Sequence, residues 1–202
     1  AAALAGGNPE QISTANWAGS NSAANNECAH TRMCGSDAVN VTLQGNVAAG
    51  KLGELTAPTS IHLSIQISDG YGGITVLDGQ PRPGFGDLGM FCSLCLNSNF
   101  STLPKGAVVW GPQVLSAPNG QTNSIYASSL IHAAEGYRNG VFRYSVPSIP
   151  SGQMNNSQYN SNSWGAGILQ HVNGAVPSFD FDSYIAPGYQ NPIPAQGFRN
   201  EN

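Results

Sequence analysis

The clearest pattern in the chain is Ile61-His62-Leu63-Ser64-Ile65-Gln66-Ile67, in which apolar and polar residues alternate without a break. A period of two is the signature of a half-buried strand, with Ile61, Leu63, Ile65 and Ile67 on one face and His62, Ser64 and Gln66 on the other. Asp69-Gly70-Tyr71-Gly72-Gly73 follows with turn chemistry. Ile74-Thr75-Val76-Leu77 supplies a second strand, so the two predict a hairpin that Asp78-Gly79 brings to an end. Looser alternation over residues 39–47 predicts another strand, and Ala107-Val108-Val109-Trp110 a short apolar one. Between them, Pro81, Pro83, Gly84, Gly86 and Gly89 mark residues 79–106 as a long ordered loop.

Two stretches read as helices. Residues 122–137 carry a stripe of Ile125, Leu130, Ala133, Ala134 and Tyr137, with Gly140 beyond. Residues 160–172 open on the capping residue Asn160 and stop at Asn173-Gly174. Residues 141–145 are a strand or an extended segment, and 146–158 a polar loop. The start, 1–38, has no sustained period and reads as an irregular arm; 48–58 is a loop or a short turn of helix. From Ala175 onward, Pro177, Pro187, Pro192 and Pro194 predict coil wrapped over the surface. The expected fold class is α+β: a small antiparallel sheet with two helices packed against it and long Gly/Pro-rich loops. Its 202 residues suit one domain. Within it, 1–58 forms the arm and first strand, 60–175 the core, and 176–202 the Pro-rich tail.

Composition narrows the partners. Charged residues are 9% of the chain, so solubility must come from Asn, Ser, Gln and Gly, a balance common in secreted proteins. Seven Lys and Arg are scattered along it, leaving no basic stripe to neutralise phosphates. Nucleic acid is therefore not an expected partner, and no apolar run is long enough to span a bilayer.

Cys92-Ser93-Leu94-Cys95 has C-x-x-C spacing, while Cys28 and Cys34 are too far apart for a tight zinc knuckle. Two structural disulfides in an exported protein are expected, with the local pairs Cys28–Cys34 and Cys92–Cys95 favoured among the three possible pairings. A four-thiolate zinc site and free thiols are the competing readings. Too few His and carboxylates cluster for a catalytic metal, and no cofactor is expected. Asn40-Val41-Thr42, Asn99-Phe100-Ser101 and Asn155-Asn156-Ser157 match the glycosylation sequon, as chance also supplies in so Asn- and Ser-rich a chain.

Candidate chemistry gathers at Asn160-Ser161-Asn162-Ser163-Trp164. With Asn160 as N-cap, Ser161 falls in the first turn, where backbone N–H groups point outward and the dipole favours an anion. A nucleophile there has its anionic form stabilised and oxyanion donors nearby. Ser163 is the rival; the two serines lie about 200° apart around the helix and cannot both face one substrate. Equally, Asn and Ser are ordinary capping residues. His62 is the natural base, mounted on a rigid strand, although a lone solvent-facing His is the commoner case. His30, His132 and His171 lie in less suitable places. A third group must orient the imidazole. Gln66, on the same face, and Asp78, at the end of the partner strand, both qualify.

The order of these pieces, a strand His well ahead of Asn-Ser-Asn-Ser-Trp at a helix start, resembles circularly permuted papain-like hydrolases related to NlpC/P60 and the lecithin-retinol acyltransferases. It is also similar to hydrolase-like domains at the ends of bacterial Rhs and haemagglutinin-type secreted proteins. The likeness runs over residues 60–175: the His62 strand, the strand into the Gly/Pro loop, the Ala-rich helix, Tyr144, and the tract from Tyr159 to Leu169. It implies a secreted hydrolase of amide or ester bonds, acting on a peptide, peptidoglycan or acyl-ester substrate, with Ser161 in the place usually held by Cys. Serine is less acidic than cysteine and needs more help from its base. The resemblance therefore implies either a serine hydrolase on a papain-like scaffold or a scaffold that has lost catalysis. Two other readings stand beside it: a non-catalytic secreted binding or structural module held by disulfides, and a zinc-stabilised interaction domain.

Overall fold

A computed structural model describes residues 38–47, 59–85, 91–102, 106–118, 120–146 and 154–199. The expectations for the N-terminal arm, the 48–58 loop and the Cys28–Cys34 pair lie outside these residues.

The fold is α+β, a five-stranded antiparallel sheet with two helices packed against it. In chain order the strands are β1 (Asn40–Val47), β2 (Ile61–Ser68), β3 (Ile74–Phe85), β4 (Phe91–Ser101) and β5 (Val108–Val114). They lie side by side as β4-β3-β2-β1-β5. Helix α1 spans Asn123–Gly136 and α2 spans Ser161–Asn173. Val41 and Leu43 of β1 and the four aliphatic residues of β2 face the helices. There they meet Tyr126 and Leu130 of α1 and Trp164, Ile168 and Leu169 of α2. The alternation of β2 thus sets which face of the sheet is core.

Residues 79–106 are not one long loop. β3 runs through Asp78 as far as Phe85, and β4 returns beside it from Val76↔Ser101 to Phe85↔Phe91. The prolines that suggested a loop are tolerated for a physical reason. β2 pairs with β3 only from Ser68↔Ile74 to Ile65↔Leu77, so beyond Leu77 the β2 side of β3 has no strand against it. Strand alternation turns the nitrogen of Pro81 to that vacated side, where the absent N–H costs no ladder bond. Gly79 allows the helix in. A Cβ there would lie 2.6 Å from the Cβ of Trp164.

Both helices are capped by side chains. Thr122 Oγ1 accepts from the Ile125 N–H, and Asn160 Oδ1 accepts from the N–H groups of Asn162 and Ser163. Gly174, in the left-handed conformation at φ 78°, ends α2. The buried stripe of α1 differs in one anchor: Tyr126 is fully buried, whereas Ile125 is half-buried. α2 is buried on every side from Ser161 to Leu169. Its outer side is covered by the C-terminal tail, which is therefore more than surface coil. Tyr189, Ile193 and Phe198 are all buried, and the Ile193 N–H donates to the carbonyl of Ser163. Gly167 allows this approach, since a Cβ there would stand 2.8 Å from that of Ile193.

Candidate active site

The site lies where β2 and β3 part and the N-terminus of α2 enters the gap. His62 Nε2 is 3.1 Å from Asp78 Oδ2. Asp78 sits in the middle of β3, almost wholly buried, and two further donors hold it. Gln80 Nε2 donates to Oδ2 at 3.0 Å and Asn99 Nδ2 to Oδ1 at 2.7 Å. Arg82 Nη2 in turn donates to Asn99 Oδ1 at 2.9 Å. Burial on its own would raise the Asp78 pKa. The hydrogen bond and charge of His62, with the donors from Gln80 and Asn99, outweigh it and hold the carboxyl below its ordinary range. An ionised carboxylate only accepts, so Nε2 of His62 carries the proton in the neutral ring and Nδ1 is left as its basic nitrogen.

Of the two candidate orienting groups, Asp78 is the one beside His62. Gln66 is four residues along the same strand, about 13 Å away at the rise of an extended chain. No hydrogen bond links it to His62 among the described residues. Asp78 was expected to close the hairpin because Asp-Gly is a turn dipeptide. Here Asp78 is cradled and Gly79 is needed for close packing, so the strand continues.

The two serines have different partners. Ser163 is fully buried and donates to the carbonyl of Gly188 at 3.0 Å, a contact that ties α2 to the tail. Ser161 is 4% exposed, and its Oγ lies 3.4 Å from the hydroxyl of Tyr144. The Ser161 N–H also faces that hydroxyl. Burial first, and then the charge of Asp78, raise the Tyr144 pKa against the opposing effect of Ser161. Its hydroxyl therefore keeps its proton at neutral pH and remains a donor. Because Asn160 already occupies the N–H groups of Asn162 and Ser163, the donors left beside Oγ are the Ser161 N–H and the Tyr144 hydroxyl. Among the described residues, no hydrogen bond joins Ser161 to His62.

For three members of this neighbourhood, Gln80, Asn99 and Asn162, nothing in the sequence pointed to the contacts they make here. Asn162 Oδ1 accepts from the Leu63 N–H at 2.7 Å, and its Nδ2 donates to the carbonyl of Ile61 at 2.9 Å. Tyr144 fell within the tract of resemblance, but its contact with Ser161 depends on the fold. The tyrosine is carried on a short extended segment against β4, where its N–H donates to the carbonyl of Leu94.

The other histidines are placed elsewhere. His132 lies 3.8 Å from Glu135 on the exposed side of α1, and His171 stacks on Phe198. His30 is outside the described residues. Among those residues, no group of three or more His, Cys, Asp or Glu is placed to hold a metal, and no cysteine is free. No helix among them is long and apolar enough to cross a membrane. The sequon at Asn99 is engaged, because the nitrogen that would carry a glycan is the one bonded to Asp78. Compared with protein-family models, curated proteins and solved structures, the chain matches none.

Proposed function

We propose that this protein is an exported hydrolase of amide or ester bonds in which Ser161 is the nucleophile and His62, oriented by Asp78, is the base. The carrying observation is the 3.1 Å contact between His62 and a buried carboxylate that Gln80 and Asn99 also hold. That arrangement fixes the ring and its tautomer and leaves Nδ1 as the proton acceptor. In the proposed reaction, Ser161 Oγ attacks the substrate carbonyl while its proton passes to His62 Nδ1. The Ser161 N–H and the Tyr144 hydroxyl, turned from Oγ towards the new oxyanion, stabilise the tetrahedral intermediate. The imidazolium then protonates the leaving amine or alcohol, and water releases the acyl group by the same steps in reverse roles. A peptide, peptidoglycan crosslink or acyl ester fits this chemistry. Export is proposed from the low charge and the Asn- and Ser-rich composition.

One observation favours a second reading, a non-catalytic exported binding or structural module. Ser161 is nearly buried and its hydroxyl is paired with Tyr144 rather than His62. A serine-directed fluorophosphonate probe separates the two. Under the hydrolase reading, wild type is labelled and Ser161→Ala and His62→Ala are not, with all three folded by thermal melting. Equal labelling of wild type and Ser161→Ala, or none of either, rejects it.

A further inference from the structure

The edge of β2 that faces β3 is closed by three separate pieces of chain. From Ile65 to Ser68 the partner is β3. At the other end, the Ile61 N–H donates to the carbonyl of Ile185, and the Ile185 N–H donates to that of Thr59. Between them stand the Leu63 N–H and the Ile61 carbonyl, the peptide groups on either side of His62. Among the described residues their partner is the Asn162 side chain, acceptor to one and donor to the other. A primary amide carries the same donor and acceptor as a peptide group, so Asn162 takes the place that a neighbouring strand would fill. β3 does not fill it, since its pairing with β2 ends at Ile65↔Leu77.

We infer that Asn162 is a positioning residue that sets His62 relative to Ser161. Its catalytic consequence rests on the hydrolase reading, while its effect on His62 does not. Asn162 follows Ser161 directly in the chain, is 2% exposed, and sits in a helix start already fixed by the Asn160 cap. The nucleophile and the strand bearing the base are thus joined through one short side chain. A shorter residue leaves two buried peptide groups unpaired and lets β2 move at the position of His62. An aspartate keeps the shape and the acceptor but, when ionised, loses the donor to Ile61.

The test pairs fluorophosphonate labelling with NMR of the His62 ring nitrogens, in wild type, Asn162→Ala and Asn162→Asp. Asn162→Ala is expected to remain folded by thermal melting, to shift the His62 ring resonances, and to label about 100-fold more slowly, the scale of a misplacement near 1 Å. Asn162→Asp is expected to fall between, at about tenfold, for one lost hydrogen bond. If Asn162→Ala does not fold, the same readouts on Asn162→Asp decide. Wild-type labelling rates together with unchanged His62 resonances overturn the inference and leave the hydrolase reading intact. If wild type itself is not labelled, that reading fails and the resonances decide alone: shifted ones uphold the placement of His62 by Asn162, and unshifted ones overturn it.

Discussion

His62 on β2 and Asp78 on β3 are joined at 3.1 Å, just past the last pair, Ile65↔Leu77, at which the two strands still bond to each other. Their side chains bridge a gap that the backbones have left. The contact therefore has two roles that can be measured apart, holding the strands at the split and orienting the imidazole.

Asp78→Asn tests both. It removes the charge that His62, Gln80 and Asn99 are arranged to hold, and the new amide presents an N–H to donors. We expect a loss of about 2 kcal/mol in denaturant unfolding, the scale of hydrogen bonds to a buried charged group. Under the hydrolase reading, labelling of Ser161 should fall by as much as about 10⁴-fold, because His62 is then free to adopt the wrong tautomer. Loss of stability with full labelling would leave Asp78 a structural residue only.

The pH dependence has a definite sign. The Asp78 pKa is lowered below its ordinary 3.8 in the folded protein. The native state therefore favours the ionised form, and the resulting stabilisation is complete above the unfolded value. It is lost as pH falls through the folded one. Melting temperatures measured downward from neutrality should drop more steeply below about pH 4 for wild type than for Asp78→Asn. Parallel curves would contradict the assignment.

Gly79→Ala probes the approach of α2 to the sheet. The added methyl meets the Cβ and Cγ of Trp164, a fully buried side chain, at 2.6 and 2.9 Å. Neither atom is the end of a flexible chain, so the helix or β3 has to shift. The expected cost is about 1–3 kcal/mol by chemical unfolding. A neutral result would mean that the gap between β2 and β3 is more compliant than its packing indicates.

Ser161→Cys and Ser163→Cys distinguish the two serines without any substrate. A thiol at the first position of α2 gains from the helix terminus, so its alkylation by iodoacetamide should have a midpoint below the ordinary value of about 8.5. The same change at Ser163 puts the thiol against the Gly188 carbonyl in a fully buried place, where it should react far more slowly. Equal rates at the two positions would show that Ser161 has no privileged access or activation.

What could be read from the residues alone, and what could not, divides along contact distance. β2 was legible because its alternation is local and its aliphatic face is the core. The limits of α2 were legible because Asn160 and Gly174 act on their own helix. Asp78-Gly79 spells a turn to its neighbours in sequence, whereas two of the three partners that hold Asp78 within a strand, His62 and Asn99, come from β2 and β4. Gln66 qualifies by sharing a strand face with His62, but four residues of extended chain already put it about 13 Å along. Asn162 read as one more capping-type residue, since its two partners, Leu63 and Ile61, lie 99 and 101 residues upstream. The prolines of β3 suggested a loop because nothing local reveals that β2 has already turned away.

The closure of β2 by Asn162 and Ile185 has a consequence for how the chain is made. During synthesis all five strands emerge before the pieces that complete that edge, which lie beyond residue 159. A nascent or truncated chain ending there would present bare peptide groups along Thr59, Ile61 and Leu63, the kind of exposed strand edge that recruits a second chain. Completion of the domain depends on residues beyond 159. Fragments cut before α2 should be insoluble, and adding residues 160–199 as a separate peptide would be expected to rescue them.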